Sequence, residues 1–162
     1  MYRKELRAAF SMIELTFVIV VIGILAAIAL PRFGDTADTA YLSKAKSTII
    51  TVRNAIKNER QRRILRGDYT AITDLSRTSA DAASANVFDH FNADLRGTNT
   101  PVFDYPVPGC SSNTQRACWV KSGTTYSYRF PDSTDGQADF VLSNNRLDCS
   151  SSDTTDCQKI IR

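Results

Sequence analysis

Few residues in this chain have the type and spacing to do chemistry. Asp132, Asp135 and Asp139 crowd the stretch PDSTDGQADF. Oxygen ligands strung along a loop can hold calcium, but the EF-hand spacing is not met, and a polar hairpin turn is the plainer reading. Four cysteines, Cys110, Cys118, Cys149 and Cys157, stand in two pairs with seven residues between the members of each. Zinc motifs use C-x-x-C pairs, so disulfides are the better reading. Three connectivities are open, and the simplest joins Cys110 to Cys118 and Cys149 to Cys157. The single histidine, His90, lies in DHF with no cysteine, serine or second histidine placed beside it by motif. It reads as a surface or partly buried structural residue. No Walker loop, G-x-G-x-x-G, H-E-x-x-H or G-x-S-x-G is present, so an enzyme is not expected. What stands out is Glu14, a carboxylate inside the apolar stretch FSMIELTFVIVVIGILAAIALPRF.

The elements around Glu14 explain its setting. Leu15 to Leu30 is free of charge, and counting from Phe10 gives 21 residues with Glu14 included. At about 1.5 Å per residue, 21 residues reach about 31 Å, the thickness of a hydrocarbon core. The leader MYRKELRAA carries Arg3, Lys4 and Arg7 against Glu5. The positive-inside rule then puts the N-terminus in the cytoplasm and Pro31 onward outside. The small pair Ala8-Ala9 precedes the apolar run, whereas a secretory signal has its cleavage site after it. A cut at Ala9 leaves the membrane helix on the mature protein, starting at Phe10. Beyond the leader, 17 bases face 16 acids, so composition gives no argument for nucleic-acid binding. With 43% hydrophobic and 23% charged residues, disorder is not indicated either.

These features resemble the N-terminus of type IV pilins and type II secretion pseudopilins. The matching residues are the basic leader, the cut before Phe10, Glu14 four residues later, Gly23 in mid-run and Pro31 at its close. One departure is Ala9, where the family usually has glycine. The resemblance implies that a prepilin peptidase cuts between Ala9 and Phe10 and methylates the new amine. It implies a subunit resident in the bacterial inner membrane, then polymerised through its helix by an assembly platform with its ATPase. It also implies that Gly23 to Pro31 can lose helicity on assembly. Major pseudopilins carry a calcium loop in their C-terminal part, which Asp132, Asp135 and Asp139 resemble loosely.

The resemblance supplies a physical role for Glu14. A lone carboxylate in a bilayer costs about 2.5–3.5 kcal/mol on insertion scales. A neighbour's Phe10 amine at 4 Å returns about 4 kcal/mol at an effective dielectric of 20. The pair forms only when subunits are in register. Snorkelling to the interface is the simpler alternative.

Further along, Leu42, Ala45, Ile49, Val52 and Ile56 form one helical stripe. Gly67 is a natural stop, so the helix is expected to run to about residue 66, about 85 Å from Phe10. The basic run KNERQRRILR at its end reads as a solvated helix terminus suited to the dipole, with DNA contact as the sharper alternative. A short helix is expected over about 80–95. Strands are expected at Val102 to Tyr105, Cys118 to Lys121, Thr124 to Phe130, Ala138 to Leu142 and more weakly Arg146 to Asp148, with SSSDTTD an exposed polar loop. The expected architecture is α+β and pilin-like: a long N-terminal helix packed on a small antiparallel sheet, stapled by disulfides. In segments it reads as leader 1–9, membrane helix 10–33, amphipathic half 34–66, connector 67–101 and sheet with C-terminal loop 102–162. The expected function is a filament subunit. A minor pilin of a DNA-uptake machine and a membrane-tethered binding protein that never polymerises are its rivals.

Overall fold

A computed structural model describes residues 10–76, 86–105, 107–132, 134, 136–150 and 154–162, and for residues 30–36 the backbone alone. Helix α1 spans Met12–Leu65, and its backbone stays helical at Gly23 and Pro31. The chain divides into two compact units between Ala37 and Asp38.

In the second unit the apolar stripe of α1 meets a four-stranded antiparallel sheet. Its strands run in chain order, β3 (Cys118–Ser122), β4 (Thr125–Arg129), β5 (Gln137–Ser143) and β6 (Arg146–Cys149). A two-stranded ribbon of β1 (Asn86–Val87) and β2 (Val107–Pro108) precedes it. The pleat sends alternate residues to opposite faces. Trp119, Tyr126, Tyr128, Ala138, Phe140, Leu142 and Leu147 thus join Ala45, Ile49, Val52 and Ile56 in one buried cluster. Register follows tight turns. Ser143 pairs with Arg146 across Asn144 and Asn145, whose φ values of 50° and 58° are those of a type I′ hairpin turn.

The fold departs from expectation in three places. Residues 86–95 are not helical; residues 80–85 lie outside the described residues. The segment's own donors are taken elsewhere: Phe91 N and Asn92 N donate to Thr100 O and Asp74 O at 2.8 and 3.1 Å, and polar side chains hold the flanks. The Asn92 side chain accepts from Thr73 N at 2.9 Å, and Asp94 Oδ1 accepts from Arg96 N and Thr98 N at 3.0 and 2.9 Å. Phe88, with φ 61°, is fully buried and stacks on Tyr126 with ring centroids 5.0 Å apart. Residues 102–105 make bends instead of a strand, with Val102 N bonded to Asp89 O. The polar C-terminal text is helical from Thr154, as α2 (Thr154–Ile161), which buries Cys157 and Ile160.

The end of α1 also corrects the reading of the basic run. Arg63 is buried, not solvated, and its side chain is 0% exposed. Its Nε donates to Glu59 Oε1 at 2.9 Å, and its Nη2 donates to Asn92 O at 2.6 Å. Arg62 Nε bonds the other Glu59 oxygen at 2.8 Å. Beyond Gly67, Asp68 accepts from Thr70 N and Leu95 N, each at 2.8 Å. The Leu95 N–H, then the Thr70 hydroxyl and N–H, hold the Asp68 carboxyl at about 2. Asp94 is lowered too, chiefly by the Thr98 N–H.

Two predictions follow from this corner. Arg63→Met removes a fully buried guanidinium, leaves Glu59 Oε1 and Asn92 O without this donor, and is expected to cost about 3–5 kcal/mol. Arg62→Met, at a site 46% exposed, takes its donors from Glu59 Oε2 but leaves the buried Arg63 facing the carboxylate, and is expected to cost less, about 1–3 kcal/mol. Urea unfolding of the disulfide-intact chain checks both, and equal losses would refute the distinction. Asp68 has a depressed folded pKa, so its contribution is present above the ordinary carboxylate range and is lost as pH falls to about 2. In melts across pH 5 to 2, Asp68→Asn should show a shallower acid decline than the parent.

Candidate assembly site

The first turn of α1 is built by its own side chains. Ser11 is the N-cap: its Oγ accepts from Glu14 N at 3.2 Å, and its carbonyl accepts from Glu14 N and Leu15 N at 3.1 and 3.2 Å. Ser11-Met12-Ile13-Glu14 has the spacing of a capping box, which places Glu14 third in the helix. A carboxylate there lies at the positive end of the helix dipole. Thr16 Oγ1 donates to the carbonyls of Met12 and Ile13 at 3.1 and 2.9 Å, so its hydroxyl is satisfied within the helix.

Around this turn the apolar surface is open on all sides. Met12–Ala29 has a mean hydropathy of 2.7, and 0% of it is buried. Phe10, Met12, Ile13 and Phe17 are each more than two-thirds exposed. A helix apolar all round needs lipid or other helices against it. A Cβ added at Gly23 meets nothing within 4 Å, so no contact within the protomer requires glycine there. Ala9 lies outside the described residues, and for Pro31 only the backbone is described.

The other candidate residues stay apart from this segment in role. Cys110 is bonded to Cys118 and Cys149 to Cys157. The first bond closes the approach to β3 and the second fastens α2 to β6. Asp132 Oδ1 accepts from Thr134 N at 2.9 Å, and Asp139 Oδ1 accepts from Gln137 Nε2 at 3.0 Å. Asp135 lies outside the described residues. Among the described residues, no group of three or more acidic, histidine or cysteine side chains could hold a metal ion. His90 is partly buried, with Nδ1 3.3 Å from Asp89 Oδ2.

One polar cluster in the unit has the residues of a reactive site. Asp74 accepts from Leu75 N at 2.7 Å, Ser76 N at 3.0 Å and both Tyr126 OH and Lys121 Nζ at 2.8 Å. Burial, then the bond to Asp74, pushes the Tyr126 phenol far above its usual range. It therefore stays protonated and serves as a fixed donor. The cluster ties the connector to the sheet through a saturated carboxylate.

An α+β domain bearing one exposed, membrane-length apolar helix and two disulfides has a pilin-like architecture. The chain is 52% identical over 46 residues to the type IV narrow pilus major component PilA5 of Thermus thermophilus, a match covering 28% of this chain and 40% of that pilin. This partial likeness supports a pilin family for the chain. No family model matches it, and no solved structure matches it.

The sequence reading missed Ser11; the signal was the S-x-x-E spacing itself. Removing the cap by Ser11→Ala is expected to cost the helix start about 0.5–2 kcal/mol, or about 2- to 30-fold. Amide exchange at Glu14 and Leu15, measured in detergent micelles, should speed up by that factor while exchange beyond Val20 stays unchanged.

Proposed function

We propose that the chain is a structural subunit of a type IV pilus-like or type II pseudopilus filament. The observation that carries this reading is the helix Met12–Ala29, exposed on every side, with Glu14 in its first turn. Partial identity to a major pilus component supports it. A prepilin peptidase cuts between Ala9 and Phe10 and methylates the Phe10 amine. The subunit waits in the inner membrane with its N-terminus cytoplasmic and the disulfide-stapled domain outside. An assembly platform and its ATPase then add it to the filament.

In this scheme Glu14 has two tasks at one place. Within the chain it complements the helix N-terminus. Between chains it receives the Phe10 amine of the neighbour, which offsets the cost of a carboxylate in lipid only when the two are in register. Gly23, open on its surface, lets a second helix approach closely. A simple tether needs neither feature.

Intact-mass analysis of the protein from membranes of a host with a matched prepilin peptidase tests the reading, together with recovery of sheared fibres. The expected result is a mature chain beginning at N-methylated Phe10, with fibre yield cut at least about tenfold by Glu14→Ala. That factor corresponds to about 1.4 kcal/mol, well inside the estimated pair energy. An uncut chain, or fibres recovered equally from both proteins, would refute it.

A further inference from the structure

Two grooves flank α1 in the second unit, on opposite sides of the helix. Lys44, Ser47, Thr48 and Thr51 line one of them with Phe103 and Val107. Arg53, Ile56 and Lys57 line the other with residues 145–148. At about 100° per residue, the two sets point about 180° apart. The first groove faces the chain that enters β2 and then reaches β3, where Cys110 N donates to Trp119 O at 2.8 Å. The second faces the start of β6. β3 and β6 are the two edges of the four-stranded sheet.

The β3 side carries a projection. Asp104 and Tyr105 follow Phe103 there, and both are exposed, Tyr105 to 88%. Neither has a hydrogen bond, ion pair or ring contact among the described residues. A tyrosine offers a large amphipathic ring with only two side-chain torsions to immobilise. Tyrosine is accordingly among the residues that carry most binding energy at interfaces.

The β6 side carries a cleft of about 220 Å³. That is room for about seven waters at about 30 Å³ each, and so for one aromatic ring. Ile56 and Leu147 give the cleft apolar surface. Arg53 Nε is fixed on Leu147 O at 2.8 Å, and Arg53 and Arg146 share Asp148 at 3.4 and 3.2 Å. Lys57 is exposed and has no hydrogen bond or ion pair among the described residues. Three cations thus face one carboxylate beside an apolar floor. The projection is complementary on both counts. Asp104 supplies a second carboxylate, and the Tyr105 ring suits apolar contact below and a cation over its face.

We propose that Asp104 and Tyr105 of one copy dock into this cleft on a second copy of the chain. The contact rests on the filament reading above and names the surfaces that meet outside the membrane helix. Two different patches are joined, so the contact is head-to-tail and can repeat. The cleft lies about two turns further along α1 than the groove beside the projection, about 11 Å. Parallel neighbours joined this way advance along the helix axis instead of closing into a ring, which is the condition for a helical filament.

The test uses the full chain in membranes of a host with a matched prepilin peptidase. Tyr105→p-benzoylphenylalanine is irradiated, and the cross-linked peptides are mapped by mass spectrometry. A cross-link from position 105 to residues 53–57 or 145–148 of a second copy is expected. Charge exchange gives a second readout. Asp104→Lys and Lys57→Glu should each cut fibre yield by about tenfold or more, because each sets like charges against one another. The double variant should return to within about threefold of the parent, as coupled partners do. Asp104→Lys with Arg96→Glu, an exposed site elsewhere, makes the same net change and should not recover. Fibres whose cross-links map elsewhere, or equal recovery in both double variants, would overturn the contact and leave the filament reading standing. The expected cross-link without fibres would keep the contact and refute the filament. Absence of both fibres and cross-link would overturn the two together.

Discussion

The buried guanidinium of Arg63 is the interaction on which the second unit depends. It sits one turn after Glu59 and reaches Asn92 O, across 29 residues of sequence. A buried charge persists only with its donors satisfied, and a buried carboxylate only with donors facing it. Arg63 meets both needs at once, and so fixes where the chain must pass after α1 ends. From there Asp68 accepts from Leu95 N, and Asn92 accepts from Thr73 N. Two irregular segments with little apolar content are thus ordered by polar bonds. Only beyond that corner does apolar burial take over, with Phe88 inserted against Trp119 and Tyr126. A φ of 61° at an aromatic residue is costly. Full burial of the ring, worth several kcal/mol, outweighs it.

The sequence of α1 addresses two solvents, and each portion is legible for a different reason. The membrane portion is recognisable by composition alone, because lipid asks only for apolar side chains over a sufficient length. The portion from Leu42 to Ile56 is recognisable by period, because a sheet covers one side of it and water the other. Strands showed through their alternation and through Gly123, and the cysteine spacing suggested the pairing seen. Illegible were the features set by a few polar atoms. Residues 86–95 carry helical apolar spacing, yet Phe91 N and Asn92 N, donors a helix would use, bond instead to Thr100 O and Asp74 O in neighbouring segments. Helix α2 is written in Thr, Asp, Gln and Lys, with Cys157 and Ile160 the two inward cues three positions apart. Arg63 hides among neighbouring bases, and only its spacing from Glu59 marks it.

At the candidate site the division is similar. Glu14 announced itself as a charge in an apolar run. Ser11 did not, because a serine before a hydrophobic segment attracts notice only when the glutamate three residues later is read with it. The sharing of Asp148 by Arg53 and Arg146, at 3.4 and 3.2 Å, could not be read at all. Arg53 and Arg146 are 93 positions apart, and no local pattern links them. What joins them is β6 returning beside the helix.

That return depends on register. Asn144 and Asn145 turn the chain within two residues, so Ser143 pairs with Arg146 and Leu142 with Leu147. The same pairing sends Leu147 into the core and leaves Arg146 and Asp148 on the outer side. A slip of one residue would expose Leu147 and drive both charges inward. Desolvating two charged groups costs several kcal/mol each, which the apolar cluster cannot repay. The core therefore selects the register, and the register places the cations. Arg53, anchored on Leu147 O, is held by the very residue whose burial fixes β6.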